Sequence, residues 1–335
     1  MKRIGRKLIY SILAMLLIAS ALAFGCAKPA PTGPIVLKAV GFLPPTHPHT
    51  IKWLHFADMV KEKTNGELTI NYLGGAEVIS MNDAPLALQA GTFDIILTGD
   101  TFYKSLVPAA ASTGGSKITM AEERKAGYVT LMQKIHEKSG FYYVGRGAPS
   151  GGPEFYLFLN TKTPPTKLDD LKGLKIASLM GVSGALQKLG MTQVSMASAE
   201  VYTALERGVC QGYVGSITGV TPRGYQEVLK NAVDHAYLSQ SMITLMNLDS
   251  WKRLPKNLQD KLNDAQVEYE PWSEKELMKE FAAERDKLTK AGIQFVKFSP
   301  DEATKFVNTF YEDLWQWVLE KDPANGPKLK EMLFK

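Results

Sequence analysis

LKGLKIASLMGVSGALQKLGMTQVSM, residues 171–196, alternates between two kinds of segment. Lys172-Gly173 marks a turn, and Leu174–Ser178 reads as a short strand. Ser183–Leu189 has helical spacing, and Gln193–Met196 reads as a strand again. A helix over 199–206 and a strand over 211–214 continue the alternation. Strand, helix, strand in this rhythm calls for a parallel sheet with helices on its faces. The strand at 174–178 ends in Ala177-Ser178, an uncharged end where α/β sheets usually meet their ligands.

The same rhythm appears earlier in the chain. Ile35–Phe42 reads as a strand, and residues 51–63 as a helix with Trp53, Leu54, Phe56, Ala57 and Val60 on its apolar positions. A strand at 67–73, a short helix at 84–90 and a strand at 93–97 complete a first set. One helix is expected over 122–139, closed by Gly140. Strands at 141–145 and 154–160 flank the bend GRGAPSGG, residues 145–152, whose glycines suit close backbone approach. Residues 257–290 form a long charged helix in which Pro271 predicts a kink or break. A last helix, 301–320, carries Phe306, Phe310, Tyr311, Trp315 and Trp317, a stripe read as inter-helix core rather than a cofactor box.

A chain of 335 residues exceeds what one small core takes, so two lobes are expected. The expected organisation is a signal segment at 1–25, a linker at 26–34, lobe 1 mainly at 35–153 and lobe 2 mainly at 154–240. Residues 241–335 supply returning segments and long helices that pack on both lobes. The fold class is α/β, two-lobed, with a ligand cleft between the lobes and a long helix spanning both.

Lys2, Arg3, Arg6 and Lys7 precede an almost wholly apolar stretch, Leu8–Gly25, the pattern of a secretory signal. Gly25-Cys26 resembles a bacterial lipobox, which makes Cys26 the expected lipidation site and a lipid anchor the expected membrane attachment. The alternative is an uncleaved anchor, since 18 such residues lie at the lower limit of the roughly 17–25 that span a bilayer. Either places the protein outside the cytoplasm, on the periplasmic or extracellular face of the membrane. Four of the 39 basic residues fall in 1–25, which hold no acidic ones. The remainder is 35 basic against 34 acidic, or +1, a poor match for nucleic acid. With Cys26 lipidated, Cys210 is alone and reads as a small buried residue.

No catalytic constellation emerges, and no cofactor or metal is expected. STGGSK, 112–117, lacks the spacing of a phosphate loop. GxSxG and HExxH are absent from the sequence. His47, His49 and His55 invite a metal reading, but no carboxylate or cysteine accompanies them, and His47-Pro48 reads as a turn ahead of a helix.

A secreted, two-lobed α/β protein without catalytic groups suits a solute receptor that closes on its ligand. The sequence resembles the substrate-binding proteins of tripartite ATP-independent periplasmic (TRAP) transporters, the DctP-type family. The resemblance rests on EKTNGELTI (62–70), LQAGTFDI (88–95), LNTKTPPTKLDDLKGLKI (159–176) and SAEVYTALERGVCQG (198–212). It implies a receptor that passes a small organic solute to a membrane permease driven by an ion gradient. In the family an arginine usually stands where this chain has Ala177, and an aspartate and an asparagine where it has Gln211 and Gly215. A second family arginine precedes the strand that here begins Glu154-Phe155-Tyr156. Losing a charge-assisted bond of about 1.5–3 kcal/mol weakens carboxylate binding roughly tenfold to over a hundredfold.

Two readings follow. The ligand is less acidic or more apolar, held by Phe155, Tyr156 and Tyr213; or another cation takes over, for which Arg146, flanked by glycines, is the candidate. The plain alternative for Arg146 is a loop arginine or a partner of Glu154. Ser178, Ser216 and Thr218 offer hydrogen bonds, although serines at strand ends serve the backbone as often. Tyr202 matches a family tyrosine near the cleft. Trp53, Asp100, Phe102 and Tyr103 fall near strand ends of the first lobe. The expected function is an extracytoplasmic receptor for an organic acid or a less charged relative, delivered to a TRAP permease. An ABC-type receptor, a ligand-sensing lipoprotein, an extracytoplasmic enzyme and a metal-binding protein are the rivals.

Overall fold

The computed structural model describes residues 33–147, 154–178, 181–196, 198–239 and 241–334. The expected signal segment, Cys26 and most of the linker lie outside the described residues, as does the end of the glycine-rich bend. Among the described residues no helix is long and apolar enough to cross a membrane.

Sheet A holds β1 (Ile35–Gly41), β2 (Leu68–Tyr72), β3 (Ile95–Gly99), β4 (Phe141–Gly147) and, out of sequence order, β10 (Met242–Asn247). Its order is β2-β1-β3-β10-β4. β1 and β3 are parallel, and β10 runs antiparallel to both β3 and β4. Sheet B holds β5 (Phe155–Leu159), β6 (Lys175–Ser178), β7 (Thr192–Val194), β8 (Gly212–Ser216), β9 (Asn231–Tyr237) and β11 (Gln294–Val296), in the order β11-β9-β5-β8-β6-β7. β6, β7 and β8 are parallel, and β5 is antiparallel to β8 and β9.

The helices follow their apolar faces. α1 (Pro48–Lys63) buries Trp53, Phe56, Ala57 and Val60 against sheet A, and Trp53 Nε1 donates to Thr244 Oγ1 at 2.9 Å. α2 (Ala84–Gln89) lies between β2 and β3. The single helix expected over 122–139 is two, α3 (Met120–Lys125) and α4 (Tyr128–Glu137). Gly127 sits between them at φ +81°, a left-handed conformation that ends one helix and starts the next. α5 (Ser183–Lys188) and α6 (Ser198–Glu206) serve sheet B, followed by α7 (Leu248–Arg253). STGGSK begins in a buried 3₁₀ stretch, Pro108–Gly115, and is core rather than a ligand loop.

α8 (Lys256–Lys290) continues through Pro271 without interruption. Pro271 itself is exposed, while Tyr269 and Glu270 before it and Ser273 after it are buried. Tertiary contacts on both sides hold the helix where local propensity opposes it. Its first half packs on β4 and α1; its second half puts Leu277, Phe281 and Leu288 into the core under sheet B. α9 (Pro300–Lys321) buries Phe306, Phe310, Tyr311 and Trp315, with Trp317 half-buried, and α10 (Gly326–Leu333) completes the chain. The aromatic stripe joins one core running from Val40 and Ile96 of sheet A to Leu157, Val214 and Tyr237 of sheet B.

Candidate ligand-binding site

Besides the helical return from β10 to β11, the chain passes between the sheets after β4 and again after β9. Register fixes which edges these crossings join. Gly147 and Gly99, the carboxyl ends of β4 and β3, flank Met242 at the start of β10. Phe155, the start of β5, lies beside Ser216 and Tyr237, the carboxyl ends of β8 and β9. Both crossings therefore connect the carboxyl-end edge of sheet A to that of sheet B. The crossings join these two edges, and α/β proteins hold ligands in the crevice outside such ends.

On sheet B, Ala177 is fully buried and pairs in register with Tyr213 of the parallel neighbour β8. Both belong to the core cluster with Val201, Ile217 and Tyr225. Tyr213 leans along its strand toward the carboxyl end. A Cβ on Gly215 would stand 2.1 Å from the Tyr213 hydroxyl and 2.2 Å from its Cζ. The phenol thus lies over Gly215, stacked on Phe158 (6.5 Å, 22°) and edge-on to Tyr225 (5.1 Å, 73°). Burial pushes its pKa up to about 12, with Arg223 acting against that rise and Tyr225 and Glu154 reinforcing it. The Tyr213 ring fills the space over Gly215, and Ala177 is its register neighbour in the same core cluster.

Ser178 is buried at the end of β6, its carbonyl taking a 3.4 Å bond from Gln193 Nε2. Ser216, half-buried, shares a 2.9 Å hydrogen bond with Thr218. Phe155 turns into the main core rather than outward. Tyr156 faces α8, where Arg285 supplies a side-chain hydrogen bond, and its ring meets Phe295 edge-on at 6.5 Å. Glu154 is buried, and its N–H donates to the Leu238 carbonyl at 2.8 Å. The Tyr202 hydroxyl donates to Glu227 at 2.8 Å, bracing the turn after Arg223.

On sheet A, Arg146 is a strand residue of β4 and not a loop arginine. It is 2% exposed, and its Nε and Nη2 donate to the two oxygens of Glu123, equally buried. Nη1 donates to Ser241 Oγ at 2.8 Å. The Glu123 carboxylate raises its pKa further, outweighing desolvation. The partner is Glu123 of α3 rather than Glu154. The glycines on either side serve α8: a Cβ on Gly145 would meet Gln266 at 2.7 Å, and one on Gly147 the Tyr269 hydroxyl at 2.8 Å. Trp53 and Tyr103 are core residues, the latter bonded to His136 at 3.1 Å. Asp100 stands just past β3; burial pushes its carboxyl up to about 6, opposed by Lys104, local N–H groups and Arg146. Phe102 meets Phe42 at 5.3 Å.

His47 Nδ1 accepts the His49 N–H at 3.2 Å and so caps α1. His55 instead lies against Trp272, 4.1 Å between ring centres. Cys210 is buried and forms no disulfide among the described residues.

The model of the family described as bacterial extracellular solute-binding protein, family 7 (DctP) matches residues 40–321. The C4-dicarboxylate-binding periplasmic protein DctP of Rhodobacter capsulatus is 26% identical over 274 residues, covering 77% of this chain and 78% of that protein. Matches to two other relatives span 56% and 60% of their lengths. A TRAP periplasmic solute-binding protein from Ochrobactrum anthropi superposes with a TM-score of 0.76 at 22% identity, over 89% of this chain and 96% of that one. One from Desulfovibrio salexigens with bound orotic acid gives 0.74 at 19% identity, over 89% and 96%. These structures share the fold.

Proposed function

Because the chain belongs to the DctP family of bacterial extracellular solute-binding proteins, we propose that it captures a small organic acid between its two sheets and delivers it to a TRAP permease. It is a binding protein and not an enzyme. The observation that carries the reading is the meeting of both sets of carboxyl strand ends across two crossing segments, the geometry of a cleft that closes by hinge bending. The R. capsulatus relative is named for C4-dicarboxylates, and the D. salexigens structure holds a ring monocarboxylate.

Tyr213, which fills the space over Gly215 and neighbours Ala177 in register, favours one acid group and an otherwise flat or apolar body over a small dicarboxylate. Ser178 and Ser216 supply hydrogen bonds at the strand ends. Phe155 and Tyr156 act from behind, by supporting the β5 edge, and Glu154 and Tyr202 by holding the segments that face the cleft. Arg146 supports the sheet A edge through Glu123 and Ser241. Lipidation of Cys26 keeps the receptor at the membrane that houses the permease.

The test is to purify the protein natively, denature it and identify the released small molecule by mass spectrometry. A carboxylic acid at near-stoichiometric yield is expected. A neutral or cationic compound at that yield would overturn the organic-acid reading. Small-angle scattering with the saturating compound should show compaction, and identical profiles would exclude hinge closure.

A further inference from the structure

α8 holds one segment from each lobe on adjacent turns. Lys52 Nζ, on α1, donates to both Glu280 oxygens at 2.5 and 2.6 Å. The Thr221 N–H, in the turn Thr221–Arg223 beyond β8, donates to Glu284 Oε1 at 2.9 Å. Glu280 and Glu284 lie about 6 Å apart along the helix. The start of α1 and the Thr221–Arg223 turn are therefore pinned side by side. Each follows the carboxyl end of a strand, β1 in one case and β8 in the other.

The side chains brought together there are cationic or polar. Nη1 of exposed Arg223 donates to the Gly219 carbonyl at 2.8 Å, and no carboxylate pairs with it among the described residues. The rings of His47 and His49 lie tilted against each other, 5.1 Å between centres and 40° between planes. Burial pushes both imidazoles down, His49 to about 3, and the charges of Lys52 and Arg223 push them further. They are neutral donors or acceptors at ordinary pH. Glu280 is the acidic neighbour, and Lys52 already occupies it. On the other side Arg223 acts on the Tyr213 phenol.

We infer that Arg223, with His47 and His49 opposite it, receives the acid group of the ligand, the task that Ala177 cannot perform. This rests on the organic-acid reading above and assigns the cation within it. The guanidinium keeps one edge for a planar carboxylate while Gly219 holds the other. The two imidazoles supply neutral hydrogen bonds from the facing lobe, so lobe closure completes the acid's surroundings.

The test compares the full chain with Arg223→Gln and Arg223→Lys. Orotate, pyroglutamate and pyruvate are titrated beside their carboxamides by thermal shift and calorimetry. The wild type should prefer at least one acid over its amide. Arg223→Gln should weaken that acid roughly ten- to a hundredfold and leave the amide within about twofold. Arg223→Lys should recover part of the preference. Arg223 is exposed, so unliganded melting should not move. An acid preference untouched in Arg223→Gln would overturn this inference and leave the organic-acid reading standing. A wild type that binds no acid of the panel, or binds acids and amides alike, would count against both.

Discussion

The sharpest prediction concerns the ring that lies over Gly215. Gly215→Asn restores the residue that the DctP resemblance leads one to expect, but its Cβ would stand 2.1 Å from the Tyr213 hydroxyl, 2.2 Å from Cζ and 2.4 Å from Cε1. Carbon atoms pack at about 3.5–4.0 Å, so the ring must move by more than an ångström. It has little room, being 4% exposed and held between Phe158 and Tyr225. Overpacking of this kind costs about 1–3 kcal/mol. Tyr213→Ala alone should cost about 3–5 kcal/mol, as large aromatic truncations do. The double variant should lose at least about 1 kcal/mol less than the sum, because the new amide side chain occupies space the ring has left. Urea unfolding followed by circular dichroism measures all three, and calorimetry tests ligand affinity in each. Additive effects within about 0.5 kcal/mol, or a Gly215→Asn variant as stable as the wild type, would refute the claim that Tyr213 excludes a side chain at this position.

Other predictions follow from the same packing. Glu123→Ala leaves the buried Arg146 guanidinium without its carboxylate and should destabilise by about 3–5 kcal/mol, measured by urea midpoint. Replacing the pair by Leu and Met should recover most of that loss. Asp100 has a raised pKa, so the stability it supplies at low pH is lost as pH rises through about 6. Asp100→Asn should therefore melt higher than the wild type at about pH 7.5 and equally at about pH 4; a constant offset would contradict this. Ala177→Arg alone should destabilise by about 1–3 kcal/mol, because Ala177 is buried in register with Tyr213, and should gain affinity for small dicarboxylates only when Tyr213→Ser opens space. Dicarboxylate binding by the single variant would show that Ala177 reaches the cleft without Tyr213 moving.

Much of the architecture was legible because periodicity reports burial. β1, α1, β3, β6 and the long α8 all fall within a few residues of their expected places. The failures have local causes. Gly127 divides a helix whose apolar spacing carries straight through it, and only its positive φ reveals the break. β9 and β10 read as nothing in particular, since a strand's partners, not its own seven or six residues, decide whether it is one. At the site, sequence exposed the departure at Ala177 and Gly215. It did not show that Tyr213 fills the gap, because the direction in which a side chain leans along its strand leaves no periodic trace. Arg146 looked available because glycines flank it, yet those glycines make room for Gln266 and Tyr269. Arg223 lies in a TPRG turn without any motif, and the ties of Lys52 to Glu280 and of Thr221 to Glu284 on adjacent turns of α8 are what suggest its role beside His47 and His49.

The position of β10 also dictates an order of events during synthesis. Sheet A has a vacancy between β3 and β4 that residues 242–247 alone fill, and every β-strand of sheet B except β11 is spelt out before them. Sheet A cannot be completed when residues 35–147 have emerged, because β3 and β4 then each lack the strand that lies between them. Edges left unpaired in this way recruit any available strand. A fragment stopped near residue 240 should therefore pair with other copies of itself rather than fold as a small domain. A permuted chain opening just before β10, so that its strand is made first, should shorten the exposure of those edges.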